Sequence, residues 1–332
     1  MPPPNPPRNL RGQLLNDKGQ PIDAHGRRLD LFDRPIEDRI VEPTEDLPVA
    51  GFPNLTIAYP SFGDWVAMFD PRNNRGDPAN RATYDDFKRR HQKQMTGMLQ
   101  EIRSRLAGKA LLNETNASTH TIAILPIDFV PTSKKWVKYH DNAIASPDSA
   151  VRSTTPGMYA GSSRRDGSSL TGSGTGSDSQ IFFSPERVRP GGPGFNPDEI
   201  LFHEMVHAVR DAQGASASGY HMGKGYDNAE EFAAIVVTNV YLSEKKQTQL
   251  RASHGRGVLL DPDKFLDSPL VPVPGSRGLL GTFRLRQPRL FAALAAIDRS
   301  VAAFNPFRQL AEETIKAHAA HEAKMREFDR RP

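Results

Sequence analysis

The chain contains no cysteine. That removes disulfides, cysteine metal ligands and cysteine nucleophiles in one step. Long apolar runs are also missing, and nothing approaches the roughly 20 residues a membrane-spanning helix needs. The opening MPPPNPPRNL has no apolar centre for a Sec signal, so export is expected to use a non-Sec route. Strong charge is absent too. The net charge is +4 and the pI about 9.2. The basic clusters, Lys134-Lys135 and the arginines of 284–289, lack interleaved aromatics and read as solvated faces. Neither nucleic acid nor a membrane is expected as a partner.

The 332 residues are enough for one large or two ordinary domains, and 26 glycines and 28 prolines imply much loop. Residues 1–50 are rich in Pro, Asp, Arg and Glu, without periodicity, and read as largely disordered. Order is expected from Phe52. Phe87, Met95, Met98, Leu99, Ile102 and Leu106 recur at helical spacing and predict a helix over 80–108. HTIAILPIDFV (120–130) reads as a buried strand. The Ser/Gly-rich stretch 153–180 reads as a flexible loop, because its glycines lack the G-K-[ST] of a phosphate cradle. Ile181-Phe182-Phe183 follows as a candidate edge strand that could hold an extended peptide. A helix is expected near 229–243, and C-terminal helices at 288–304 and 307–328.

The chemistry concentrates in LFHEMVHAVRDAQG (201–214). Asn196 suits an N-cap, Pro197 the first helical position, Glu199 the third position of a capping box, and Gly214 a left-handed stop. His203 and His207 therefore share one helix face, a turn apart. Ile200, Leu201, Phe202, Met205, Val206 and Val209 make the helix apolar nearly all round, hence buried. Two buried imidazoles need a partner, and a Zn²⁺ ion supplies one. Glu204 cannot aim at the same point, but it can stand beside the fourth coordination position and take a proton from water there. This is the H-E-x-x-H pattern of zincins.

A catalytic zinc needs a third protein ligand. Arg210 and Gln213 occupy the positions where metzincins have Gly and His, so that class is excluded. GYDNAEEFAAIVVTNVYLSE (225–244) offers Glu230 and Glu231 at the start of the next helix, and one of the two is expected to bind. His221 and Asp227 are weaker candidates. Tyr220, His221 and above all Tyr226 could stabilise an oxyanion.

HEMVHAVR followed by NAEEFAAIVVTNVYLSE resembles the NleD-like family of bacterial effector metallopeptidases, over residues 180–245. The E-E-F-x-A helix is also similar to the ligand helix of anthrax lethal factor, where a Glu directly before Phe binds zinc. The matching residue is Glu231. The acidic residue four further on is replaced here by Ile235. The resemblance implies an α+β, zincin-like metallopeptidase core over 51–245: a small mixed sheet with an edge strand, the H-E-x-x-H helix and the Glu helix. It also implies delivery by type III secretion and a protein substrate, such as a host signalling protein, in the host cytoplasm. Residues 246–332 would be a linker and helices on that core. Two rival readings keep the metal: a zinc-containing binding protein with a closed fourth position, and a toxin aimed at competing bacteria.

Overall fold

A computed structural model describes residues 14–15, 21–22, 45–69, 76–126, 130–131, 136–137, 143–147, 176, 178–188, 192–217, 226, 228–253, 256–258, 261–268, 271 and 275–328. The centre is a mixed five-stranded sheet of β1 (Glu45–Val49), β2 (Phe52–Tyr59), β3 (Ile122–Leu125), β4 (Ala143–Pro147) and β5 (Ser179–Phe183), in the order β1-β2-β3-β5-β4. The pairs β2–β3 and β3–β5 are parallel, and both outer pairs are antiparallel. The register sets Ile57, Ile124, Ile181 and Ala145 in one row across four strands.

Period-2 alternation divides the apolar residues between two faces. Leu55, Ile57, Ile122, Ile124, Ile181 and Phe183 enter the main core. Ala58, Leu125 and Phe182 point the other way and meet Trp65, Val66 and Tyr84. Trp65 and Val66 belong to α1 (Phe62–Phe69) and Tyr84 to α2 (Pro78–Ser104). The main core continues through α3 (Leu106–Asn116), α4 (Pro197–Ala212) and α5 (Ala229–Glu244) to Leu290, Phe304 and Phe307. Downstream lie the hairpin β6 (Leu250–Ser253) and β7 (Arg256–Val258), then α6 (Gly275–Arg286), α7 (Pro288–Ala295) and α8 (Pro306–Phe328). The architecture is α+β, a small mixed sheet with several helices, as expected.

Several boundaries differ from the expectation. Ile181-Phe182-Phe183 is not an edge strand: β5 is paired on both sides, and among the described residues β4, with the sequence AIASP, is the edge beside it. The three consecutive apolar residues are buried because both faces of an inner strand are covered. The strand expected over 120–130 stops at Leu125 before Pro126, which has no N–H for the ladder. Val130–Pro131 pairs separately with Trp136–Val137.

The helix expected over 80–108 breaks at Arg105, whose backbone is extended (φ −97°, ψ 151°). The new helix start is capped by Glu244, whose carboxylate accepts from the N–H groups of Leu106 (2.7 Å) and Ala107 (2.6 Å). The helix expected over 288–304 ends at Ala295. There the Asn305 side-chain amide donates to the carbonyls of Leu294 and Ile297. Helix α6 was not expected at all; Leu280 and Phe283 bury its inner face. Most of the Ser/Gly-rich stretch 153–180 lies outside the described residues.

Candidate metal centre

Helix α4 forms as its sequence dictates. The Glu199 carboxylate accepts from the Asn196 N–H at 3.2 Å, completing the expected box, and Gly214 takes φ 62° beyond the helix end. Ala215 N–H closes the helix on the Arg210 carbonyl (2.8 Å). In α5, the Asn228 side chain accepts from Glu231 N–H at 2.9 Å and fixes the first turn. The two helices pack against each other, and edge strand β4 runs along α4.

Between them, three of the expected ligands meet. Nε2 of His203 lies 3.2 Å from Nε2 of His207. Glu231 brings Oε2 to 3.4 Å from His203 Nε2 and Oε1 to 3.3 Å from His207 Nε2. Among the described residues this is the group whose ligand atoms could hold a metal ion. A tetrahedral ion with ligand bonds of about 2.0–2.1 Å spaces its ligand atoms about 3.3–3.4 Å apart, so the three separations fit such an ion.

Two further residues set which ring nitrogens face inward. Thr238 Oγ1 donates to the Ala234 carbonyl (2.8 Å), so toward His203 Nδ1, 3.4 Å away, it accepts. Glu230 Oε1 lies 3.2 Å from His207 Nδ1 and can only accept as a carboxylate. Both Nδ1 atoms therefore carry the hydrogen, and both Nε2 lone pairs point at each other and at the Glu231 carboxylate. A metal ion, or a proton on His207, satisfies that arrangement, and fixing the tautomer from behind is how proteins orient histidine ligands.

Glu230 is thus turned away from the point where the other three meet. Its Oε1 accepts from Arg210 Nε (2.7 Å) and its Oε2 from Ala217 N–H (2.8 Å). Burial alone would raise its pKa, but Arg210 and His207 outweigh burial and hold it down at about 2. Burial pushes His203 down to about 3, so it stays neutral. Burial acts on His207 the same way, but the charges and hydrogen bonds of Glu231 and Glu230 override it and raise that group well above the usual histidine value.

Arg210 also donates to Gln287 Oε1 (2.7 Å) and to the Ala215 carbonyl (2.8 Å). From Gln287 the chain of hydrogen bonds runs through Gln213 to Glu114 and Arg289. Arg210 and Gln213, which excluded the metzincin pattern, here form the polar support behind the metal helix.

Glu204 is partly exposed beside His203. Tyr226 is buried, with its ring edge-on to Phe232 at 5.0 Å, and burial pushes its hydroxyl up to about 12. Tyr220, His221 and Asp227 lie outside the described residues.

Each polar residue of TNVYLSE has a partner. Thr238 orients His203, and Asn239 bonds the backbone of Arg251. Tyr241 donates to Asp198 (2.7 Å), Ser243 accepts from Phe304 N–H (3.0 Å), and Glu244 caps α3. Thr238 was missed in the sequence although it stands seven residues after Glu231, on the same helix face.

A His-His-Glu group that can hold a metal, His203 buried and His207 and Glu231 half-buried, presented by two helices of an α+β core, defines the class of the site. The chain belongs to the NleD-like family of effector peptidases: the family Peptidase M91, described as "Effector protein", matches residues 77–255. That span contains the whole site and extends past Glu244 into the β6–β7 hairpin. No curated protein and no solved structure matched the chain. Among the described residues, no helix is long and apolar enough to cross a membrane.

Proposed function

We propose that this protein is a zinc-dependent endopeptidase with a zincin-type core, an effector secreted by a non-Sec route that cleaves proteins in a host cytoplasm. The observation that carries the chemistry is the convergence of two Nε2 lone pairs and a carboxylate at 3.2–3.4 Å, with both tautomers set from behind. His203, His207 and Glu231 hold the ion. When bound, Zn²⁺ supplies a Lewis acid for the substrate carbonyl and makes water acidic enough to give up a proton near neutral pH. Glu204, adjacent to His203 and partly exposed, accepts that proton and passes it to the leaving amine. Tyr226, protonated at neutral pH like any tyrosine, can donate a hydrogen bond to the oxyanion. Among the described residues no strand pairs with the outer side of β4, whose backbone groups can take an extended peptide.

The test is Glu204→Gln in the full chain, with bound zinc and cleaved cellular N-termini both measured. Zinc should remain at one ion per chain while cleavage falls by about 10²–10⁴-fold. Cleavage at the wild-type rate would contradict the role given to Glu204.

A further inference from the structure

Arg251 stands in β6, beyond the two helices that carry the ligands, and is 5% exposed. Its backbone is clamped at both groups: the N–H donates to Asn239 Oδ1 and the C=O accepts from Asn239 Nδ2, each at 2.8 Å. Asn239 follows Thr238, which orients His203, so one turn of α5 fixes both the ligand and the arginine. The stem of Arg251 crosses Gly194, where an added Cβ would come within 2.2 Å of Cδ and 2.9 Å of Nε. Gly194 has φ +81°, and only glycine offers both the conformation and the space there.

The guanidinium so placed interacts electrostatically with Glu231, Glu204, Glu199 and His203. Its Nε has no hydrogen-bond partner among the described residues. A buried donor left unmade costs about 1–3 kcal/mol, and more on a charged group, so it calls for an explanation. Service as a structural counter-charge would need bonds to a carboxylate. Glu199 already accepts from Gly194 N–H, the Asn196 N–H and amide, Lys245 and Gln247. Held by Asn239 next to Thr238 and with its stem against Gly194 just before α4, a rigid cation whose field reaches Glu231 and Glu204 is instead suited to receive charge that forms during reaction.

We propose that Arg251 is a catalytic residue that touches the substrate: its guanidinium donates to the peptide carbonyl oxygen at the reacting centre and stabilises the negative charge that develops on it. This rests on the peptidase reading above, and it assigns a site residue outside the ligand helices. The matched family span, which ends at residue 255, includes it.

The test uses the zinc-loaded full chain as wild type, Arg251→Ala and Arg251→Lys. The probes are a phosphinic pseudopeptide, whose tetrahedral anion mimics the charged intermediate, and a pooled fluorogenic peptide library. Arg251→Ala should keep its zinc and its melting temperature, and lose about 10²-fold in both phosphinate affinity and kcat. KM should change far less than kcat, and millimolar guanidinium should restore part of the rate, which a structural role would not allow. If Arg251→Ala does not fold, Arg251→Lys decides, because it keeps the charge but not the fork of donors; it should melt like wild type and bind phosphinate at least about tenfold more weakly. Phosphinate affinity equal to wild type, or zinc lost in step with activity, overturns the assignment. A wild type that holds zinc and binds phosphinate without cleaving any peptide would sink the peptidase reading alone, and the phosphinate affinities of the variants would still decide for or against Arg251.

Discussion

Glu230 Oε1 lies 3.2 Å from His207 Nδ1, the ring nitrogen that does not face Glu231. Two adjacent glutamates thus do different work: one meets the histidines at the metal point, the other holds a histidine from behind. Replacing Glu231 by Ala should abolish tight zinc binding. Glu230→Gln should keep the site but weaken zinc affinity about 10–100-fold, as loss of an orienting partner does. It should also lower stability by about 3–5 kcal/mol, because Arg210 is left buried beside a neutral group. Competitive zinc titration and urea unfolding of the apo chain measure the two effects separately.

The sequence made the metal helix legible because its signals are local: Asn196-Pro197 to start, H-E-x-x-H in the middle, Gly214 to stop. Glu230 and Glu231 could not be told apart, since both suit the first turn of a helix and only packing against α4 turns one inward. Thr238 was within reach of the pattern, two turns beyond Glu231. The edge strand was misread because three buried apolar residues mark an inner strand, while the real edge, AIASP, is short and weakly patterned. The break at Arg105 was invisible because its cap comes from Glu244, 138 residues away from Leu106.

That cap gives a second prediction. Glu244→Ala removes both acceptors from the α3 start and should cost about 1–2 kcal/mol in urea unfolding. Zinc affinity should stay at the wild-type value, since Glu244 touches none of the ligands. A large loss of zinc affinity would mean that α3 supports the site in a way its contacts do not suggest.

Residues after Glu244 belong to the working core. Gln287 is 2% exposed and bridges Arg210 to Gln213, and Phe304 and Phe307 are buried in the main cluster. A chain ending at residue 245 should therefore fail to give a cooperative melting transition. Gln287→Leu in the full chain should cost about 1–3 kcal/mol, the penalty of leaving the buried Arg210 and Gln213 groups unbonded. A truncated chain that melts like the whole protein would show that the C-terminal helices only decorate the fold.

His91 lies apart from the metal centre, buried between the rings of Phe87 and Tyr59, with Nε2 unbonded among the described residues. Burial lowers its pKa to about 3, from an ordinary value of 6.5. The fold therefore favours the neutral ring. Its contribution is fully present above about pH 6.5 and is lost as pH falls from there toward 3, by up to about 1.4 kcal/mol per unit. His91→Leu should remove this part of the acid sensitivity. The difference in unfolding free energy between wild type and variant, followed from pH 7.5 to 4.5, should change steadily below pH 6.5 and stay flat above it.

The central claim is that His203, His207 and Glu231 hold zinc, with each histidine using Nε2. Anomalous diffraction at the zinc edge, from crystals of the zinc-loaded chain, tests this most directly. The expected map has one peak about 2.0–2.1 Å from both Nε2 atoms and from a Glu231 oxygen. A chain that takes up no zinc, or a peak bonded to Glu230 in place of Glu231, would contradict the account.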